Sequence, residues 1–221
     1  MGSDPENTMD SRKIPKSAVT RISLYLREIN RLEKEGKDKV SSTELGDLTG
    51  LTDAQVRKDF SYFGQFGRSG AGYDVVQLKR IIERLLGKDK VWEIVLVGAG
   101  NIGSALLRYP GFKSQGFIIK EVFDADAKKI DKHYGDVTVK DVKSLKDTVK
   151  SNKNIKIAII AVPAESAQAV ADMLIGSGIK CILNFAPVLL KINGGVMVKN
   201  IDLSNELESF SFFLSSNGNE D

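Results

Sequence analysis

The feature that most limits what this chain can fold into is Gly98-Ala-Gly-Asn-Ile-Gly103. It is entered directly from the apolar run 92–97, Trp-Glu-Ile-Val-Leu-Val, and left through Ser104-Ala-Leu-Leu, which reads as a helix start. Glycines at this spacing between a strand and a helix make a phosphate-binding turn. The first permits the turn, the second lets a pyrophosphate reach the backbone, and the third lets helix and strand pack closely. The helix start offers free N–H groups and partial positive charge to the phosphates. A second strand, 117–123, ends at Asp124, 26 residues after Gly98. An acid there binds ribose hydroxyls and favours the unphosphorylated ribose of NAD over that of NADP. Asp126 stands two residues on and is placed to share the task. The plainer alternative is a glycine turn holding another nucleotide, such as coenzyme A.

The rest of this half repeats the pattern. A third strand over 157–162 is stopped by Pro163, and a helix over 166–175 ends at Gly176. A strand over 181–185 leads into Ala186-Pro187, and a last strand spans 196–202. Strands alternating with helices predict an α/β fold with a doubly wound parallel sheet. Ligands in such sheets sit beyond the C-terminal strand ends. Val162, Pro163, Asn184, Ala186 and Pro187 therefore join Gly98, Ala99, Gly100, Asn101, Ile102, Gly103 and Asp124 as candidate cofactor-binding residues, although loop termination alone also explains the prolines. A terminal helix over 204–214 carries Leu203, Leu207, Phe210, Phe213 and Leu214 on one face, which suits packing on its own domain or on a second subunit.

The first third reads differently. Ser17 is placed to cap a helix over 17–34 whose apolar face is Val19, Ile22, Leu26, Ile29 and Leu32, with Gly36 ending it. Ser41 with Glu44, and Thr52 with Gln55, match capping boxes that open two short helices, the second running to about Phe63. Two capped helices joined by Thr49-Gly50-Leu51 form a helix-turn-helix pattern. The second helix exposes Gln55, Arg57, Lys58 and Ser61, types that reach base edges and phosphates in a major groove. Ser42, Thr52 and Tyr62 complete the candidate DNA-contact set on the helices. The segment 64–73 holds four glycines with Arg68 at its tip, which suits a hairpin wing entering a minor groove. A further helix follows over 75–86. The plain alternative is a capped helix pair that binds nothing, with Arg57 and Lys58 on a solvated face.

Composition narrows the function classes. The lone Cys181 excludes an internal disulfide, and with the lone His133 it excludes a zinc centre built from several such ligands. No apolar run approaches the roughly 18–20 residues that cross a bilayer, and no signal-peptide pattern opens the chain. A cytoplasmic protein without membrane contact is expected. Residues 10–87 hold 15 Lys and Arg against 11 Asp and Glu, so the basic excess lies with the helix pair and permits an anionic partner there. Residues 1–9 read as a cloning remnant before a natural start at Met9. The expected layout is then 10–87 for DNA binding, 88–203 for the nucleotide, and 204–215 for dimerisation.

Together these residues resemble the Rex family of redox-sensing transcriptional repressors, along nearly the whole chain from Ile14-Pro15 to about Leu214. The segments that carry the resemblance are Ala54-Gln-Val-Arg-Lys-Asp-Phe-Ser-Tyr-Phe-Gly64, Gly70-Ala-Gly-Tyr73, Val97-Gly-Ala-Gly-Asn-Ile-Gly103, Tyr109-Pro-Gly-Phe112 and Asn184-Phe-Ala-Pro-Val188. The resemblance implies a winged helix-turn-helix domain joined to a Rossmann-like domain. It also implies a homodimer with a swapped C-terminal helix, bound to palindromic operator DNA and repressing genes of fermentation and respiration when NADH is scarce. The family wing usually carries a basic residue where Ser69 stands here, with Arg68 just before it.

The residues expected near the nicotinamide, Pro163, Phe185, Ala186 and Pro187, are apolar, and neither His133 nor Cys181 is placed there. Such a site holds a ring without reacting it, so no catalytic residue is expected. Burying an unpaired charge is costly, so an apolar pocket prefers neutral NADH to cationic NAD+. Tyr109, Arg27 and Asp202 are the candidate switch residues, by resemblance to positions thought to exchange hydrogen bonds between states. The plain alternatives are a solvated Arg27 and a helix-capping Asp202. An NAD-dependent oxidoreductase with a helical appendage and a coenzyme A-binding module are the competing readings.

Overall fold

The computed structural model describes residues 14–63, 72–192 and 194–217. Arg68 and Ser69, and with them the expected wing tip, lie outside the described residues, as do residues 1–9. The chain divides into two compact units, with the break between Lys90 and Val91.

The first unit is built on helix α1, Lys16–Lys34. Pro15 rather than Ser17 occupies its N-cap position, in extended backbone, and Ser17 lies inside the helix and exposed. A proline is pre-set for that entry, and the orphan donors of a helix start need no side chain where water reaches them. The buried face is Ala18, Ile22, Tyr25, Leu26, Ile29 and Leu32. Val19, expected on it, is exposed, because it falls one helical step away from Ala18. Strand β1, Lys39–Val40, pairs antiparallel with β2, Tyr73–Asp74, a two-residue ladder too short to leave a sequence pattern.

Helices α2, Ser42–Thr49, and α3, Asp53–Ser61, begin at the expected caps. Ser41 Oγ accepts from Glu44 N at 3.0 Å and Thr52 Oγ1 from Gln55 N at 3.1 Å. The acidic and amide side chains of both boxes turn elsewhere: Glu44 pairs with Lys37, and Gln55 reaches Asp59. Gly46 allows the two helices to approach, since a Cβ there would lie 2.5 Å from Leu51 O. Asp74 caps α4, Val75–Leu85. Val56, Phe60, Leu45, Leu78 and Ile82 meet the α1 face in one core.

The second unit is a seven-stranded sheet. Its strands are β3 Trp92–Val97, β4 Phe117–Asp124, β5 His133–Tyr134, β6 Val137–Asp141, β7 Ile157–Ile160, β8 Cys181–Asn184 and β9 Met197–Asn200. They lie in the order β5-β6-β4-β3-β7-β8-β9. Every neighbouring pair is parallel except β5 with β6. This is the doubly wound order, and its direction reverses between β3 and β7. Helices α5 (Asn101–Arg108), α6 (Gly111–Ser114), α7 (Leu145–Ser151) and α8 (Ala164–Gly176) connect the strands. Ile94 and Leu96 of β3 face one core with Leu106 and Phe112, while Val95 and Val97 face another with Leu145, Val170 and Leu174. A strand covered on both faces must be apolar at every step, which is why 92–97 reads as an unbroken run.

The third strand stops at Ile160 rather than Val162, and α8 starts two residues before Ser166, so Val162 and Pro163 form the turn between them. The chain closes with α9, Leu203–Asn217. Among the described residues no helix is long and apolar enough to cross a membrane.

Candidate functional site

The glycine loop sits where β3 delivers the chain to α5, at the sheet's reversal point. Gly98 has φ +99°, and a Cβ there would lie 2.3 Å from Ala161 O, on the chain leaving the neighbouring strand. A Cβ on Gly103 would lie 1.8 Å from Gly98 O. The fold itself therefore dictates both glycines. Gly100 is different: a Cβ there would meet nothing within 4 Å. It caps α5 with no side-chain hydrogen bond to the helix's first N–H groups. The protein has no packing use for its bareness, whereas a pyrophosphate laid against the backbone does. The residues present therefore fit a dinucleotide's phosphates.

Asp124 ends β4 almost wholly buried. Its Oδ2 accepts from Ala99 N at 2.7 Å and from Lys129 Nζ at 3.2 Å, and its Oδ1 accepts from Asp126 N at 2.8 Å. Burial works against this carboxylate, but the backbone donors of Asp126 and Ala99, then Lys129, outweigh it and hold its pKa below the usual value. Asp126 is more exposed and caps Lys128 N.

Beside the loop lies a cavity of about 730 Å³. Gly98, Gly100, Asn101, Ile102 and Asp124 line it, with Val162, Pro163, Phe185 and Pro187. Asn184 and Ala186 do not. Asn184 is fully buried, donating to Ala186 O, Val188 O and Asn200 Oδ1 while its Oδ1 accepts from Ala186 N. It shapes the loop that presents Phe185 and Pro187. Ala99 reaches the site through its N–H on Asp124.

In the first unit, α3 brings several predicted residues together. Arg57 Nη1 donates to Asp53 Oδ2 at 2.5 Å and to Ser42 Oγ at 3.3 Å, so the start of α2 adjoins α3. Ser61 Oγ donates to Lys58 O, and Lys58 itself is exposed. Tyr62, half-buried, caps the helix's end, and Thr52 caps its start. Asp59, to which the sequence pattern gives no role, is fully buried behind this surface. Arg21 Nε and Nη2 donate to it at 2.6 and 2.7 Å, Tyr25 Oη at 2.9 Å and Gln55 Nε2 at 2.8 Å.

Comparison with known proteins bears on both units. Residues 13–61 match the family model "Putative DNA-binding protein N-terminus", and residues 89–188 match "CoA binding domain". A protein of Desulforamulus reducens is 45% identical over 94% of this chain and 98% of its own length, and is named a redox-sensing transcriptional repressor Rex. This chain belongs to the Rex family. A Rex of Chloroflexus aggregans is also 45% identical, over 91% of this chain and 94% of its own. The Rex-family repressor RSP, solved with β-NAD+ and operator DNA, matches with TM-score 0.89 and 36% identity over 93% of this chain and 94% of that one. RSP with β-NADH matches at 0.83 and 34%, over 93% and 96%. The Rex relatives are named as repressors, not as oxidoreductases, so the enzyme reading gives way to a redox-sensing transcriptional repressor.

The three switch candidates occupy varied settings. Tyr109 ends α5 exposed, its ring edge-on to Phe112 at 5.2 Å, and Gly111 leaves it room. Arg27 is exposed, with Glu28 at 3.6 Å. Asp202 Oδ1 accepts from Ser204 N, the capping role. His133 is exposed on β5 against Thr138. Burial pushes the Cys181 thiol pKa up.

Sequence reasoning passed over Lys129 and Glu165, which both line the cavity. Their signals were present: Lys129 ends the run Asp124-Ala-Asp-Ala-Lys-Lys129, and Glu165 lies two residues beyond Pro163. Asp124 does not by itself separate a dinucleotide from coenzyme A, because the carboxylate holds the loop through Ala99 N and Asp126 N whatever nucleotide binds.

Proposed function

We propose that this chain holds palindromic operator DNA as a homodimer in the cytoplasm and lets it go when NADH fills the cavity beside the glycine loop. The observation that carries this reading is Gly100, which is bare for no reason internal to the protein. The loop from Gly98 to Gly103 would hold the pyrophosphate, and Asp124 the adenosine ribose. Val162, Pro163 and Pro187 would face the nicotinamide, with Asn184 and Ala186 holding their loop. When bound, the coenzyme supplies a ring that is neutral as NADH and cationic as NAD+. The apolar wall favours the neutral form, since an unpaired buried charge is costly. Glu165 is exposed, and water screens its charge.

Operator contact is assigned to Ser42, Thr52, Gln55, Arg57, Lys58, Ser61 and Tyr62, with Arg68 on the wing. Dimerisation is assigned to α9, where Leu203, Leu207, Phe210, Phe212, Phe213 and Leu214 are each more than 60% exposed. That is a larger run of bare apolar groups than a lone helix keeps in water, and a second copy is its proposed cover. The boundaries 10–87, 88–203 and 204–215 follow this division of labour. Groove-reading helices of a dimer must stand roughly 34–36 Å apart, so a ligand that alters the dimer alters operator fit. The shift is bounded by the ligand's difference in affinity for the two dimer shapes.

The test is a titration of NADH or NAD+ into the full-length protein on a palindromic duplex selected from a random pool. NADH should release the duplex at far lower concentration than NAD+, and equal release by both would overturn the charge argument. Tyr109→Phe should blunt release by NADH. A variant that responds like the parent removes the Tyr109 hydroxyl from the switch.

A further inference from the structure

Asp59 is the charged side chain most deeply shielded among the described residues, and it lies on the helix assigned to the major groove. Its two oxygens take four donors from three side chains: both Arg21 nitrogens, the Tyr25 hydroxyl and the Gln55 amide. Arg21 and Tyr25 come from α1, so the carboxylate ties the recognition helix to the first helix. The Arg21 fork is bidentate, which fixes the plane of the carboxylate as well as its place. Burial opposes the charge, but the bonds from Arg21, Tyr25 and Gln55 outweigh it, and Asp59 stays ionised.

An ionised carboxylate only accepts hydrogen bonds. Gln55 can therefore face it with Nε2 and not with Oε1, because the flipped amide would set two oxygens against each other. The amide edge of Gln55 is thus not free to turn. With one N–H held by Asp59, the amide keeps one N–H and its carbonyl. A donor beside an acceptor is the pattern that complements adenine, whose N7 accepts and whose N6 donates in the major groove. An amide free to turn loses part of that selectivity in ordering itself.

We propose that Asp59 is a positioning residue that fixes the Gln55 amide to read an adenine in each operator half-site. The proposal rests on the operator-binding reading above. Gln55 makes the base contact, and Asp59 acts through it. The Arg21 and Tyr25 bonds supply the rigidity.

The experiment uses the full-length protein on duplexes it selects from a random pool. Each adenine of the selected half-site is replaced by 7-deazaadenine, which lacks the N7 acceptor, or by purine, which lacks the N6 amine. For the parent protein, one adenine per half-site should show a loss of about 5- to 100-fold, the worth of one bidentate base contact. In Gln55→Ala that loss should vanish for that adenine alone. Asp59→Ala strands Arg21, and its fold is at risk. The triple variant Arg21→Met, Tyr25→Phe, Asp59→Leu replaces the whole network by apolar groups and keeps the core filled. It should retain helical content and bind DNA, with the loss at that adenine cut to about twofold. The same penalty in Gln55→Ala as in the parent overturns the base contact. Full discrimination in the triple variant overturns the role of Asp59. If the parent selects no duplex, the operator-binding reading itself fails, and this proposal with it.

Discussion

Asp59 in the helical unit and Asp124 in the sheet unit are both shielded carboxylates held ionised by several donors. Their partners differ in kind. Asp59 is met by side chains from two helices, at the edge of the packed core that holds Tyr25 and Phe60. Asp124 is met chiefly by backbone N–H groups of two loops, and it opens onto a cavity. Side chains crossing between helices fix the mutual placement of those helices. Backbone donors fix the shape of a loop and leave space beside it. One chain thus uses the same chemical group first as a strut and then as the rim of a cavity.

The sharpest way to break this contrast is to remove each acid. Asp59→Ala should cost the helical unit about 3–5 kcal/mol, because Arg21 is left part-buried without its partner. Asp124→Ala should cost about 1–3 kcal/mol, since it frees two loop N–H groups and one lysine rather than a bidentate guanidinium tied between helices. Urea unfolding followed by circular dichroism measures both, and equal losses would erase the distinction.

Next come the glycines that shape the cavity. Gly103→Ala drives a methyl into Gly98 O and should destabilise the sheet unit by about 3 kcal/mol. Gly100→Ala should leave stability within about 0.5 kcal/mol while weakening NADH by tenfold or more in calorimetry. If Gly100→Ala binds NADH as the parent does, the phosphate cradle is misassigned.

Acid should reveal the two carboxylates together. Each has a folded pKa below the unfolded value of about 3.9. The stabilisation is therefore complete above that value and disappears as pH falls through the folded pKa, where both states are protonated. Stability of the parent should drop as pH falls below about 4. The triple variant lacking the Asp59 network should show a shallower fall for the helical unit, and an unchanged slope would deny that Asp59 is held ionised.

The smallest effects separate two helix starts. Ser41→Ala removes a real cap and should cost about 1 kcal/mol. Ser17→Ala should stay within about 0.5 kcal/mol, because Pro15 begins α1. Thermal melts of the two variants decide it.

The contrast also marks where the sequence speaks. The glycine loop, the doubly covered strands and the caps at Ser41 and Thr52 announce themselves because each rests on near neighbours in the chain. Asp59 and Tyr25 do not, since the bond that keeps them buried spans 34 residues. On pattern alone an aspartate between Lys58 and Phe60 is a solvated residue. Strand β6 escapes notice for another reason: Val137-Thr-Val-Lys-Asp141 alternates too briefly to separate from a loop. Asn184 was legible as a residue near the cavity, but its inward hydrogen bonds belong to a loop shape that periodicity does not encode.

Gly100 has one further consequence. A Cβ there meets nothing in the protein, so on the proposed reading a side chain at this position would yield an intact protein deaf to NADH. In a cell such an allele would be a super-repressor, silencing its targets whatever the redox state. Selection against it would then act entirely through metabolism, since the fold would carry no mark of the change.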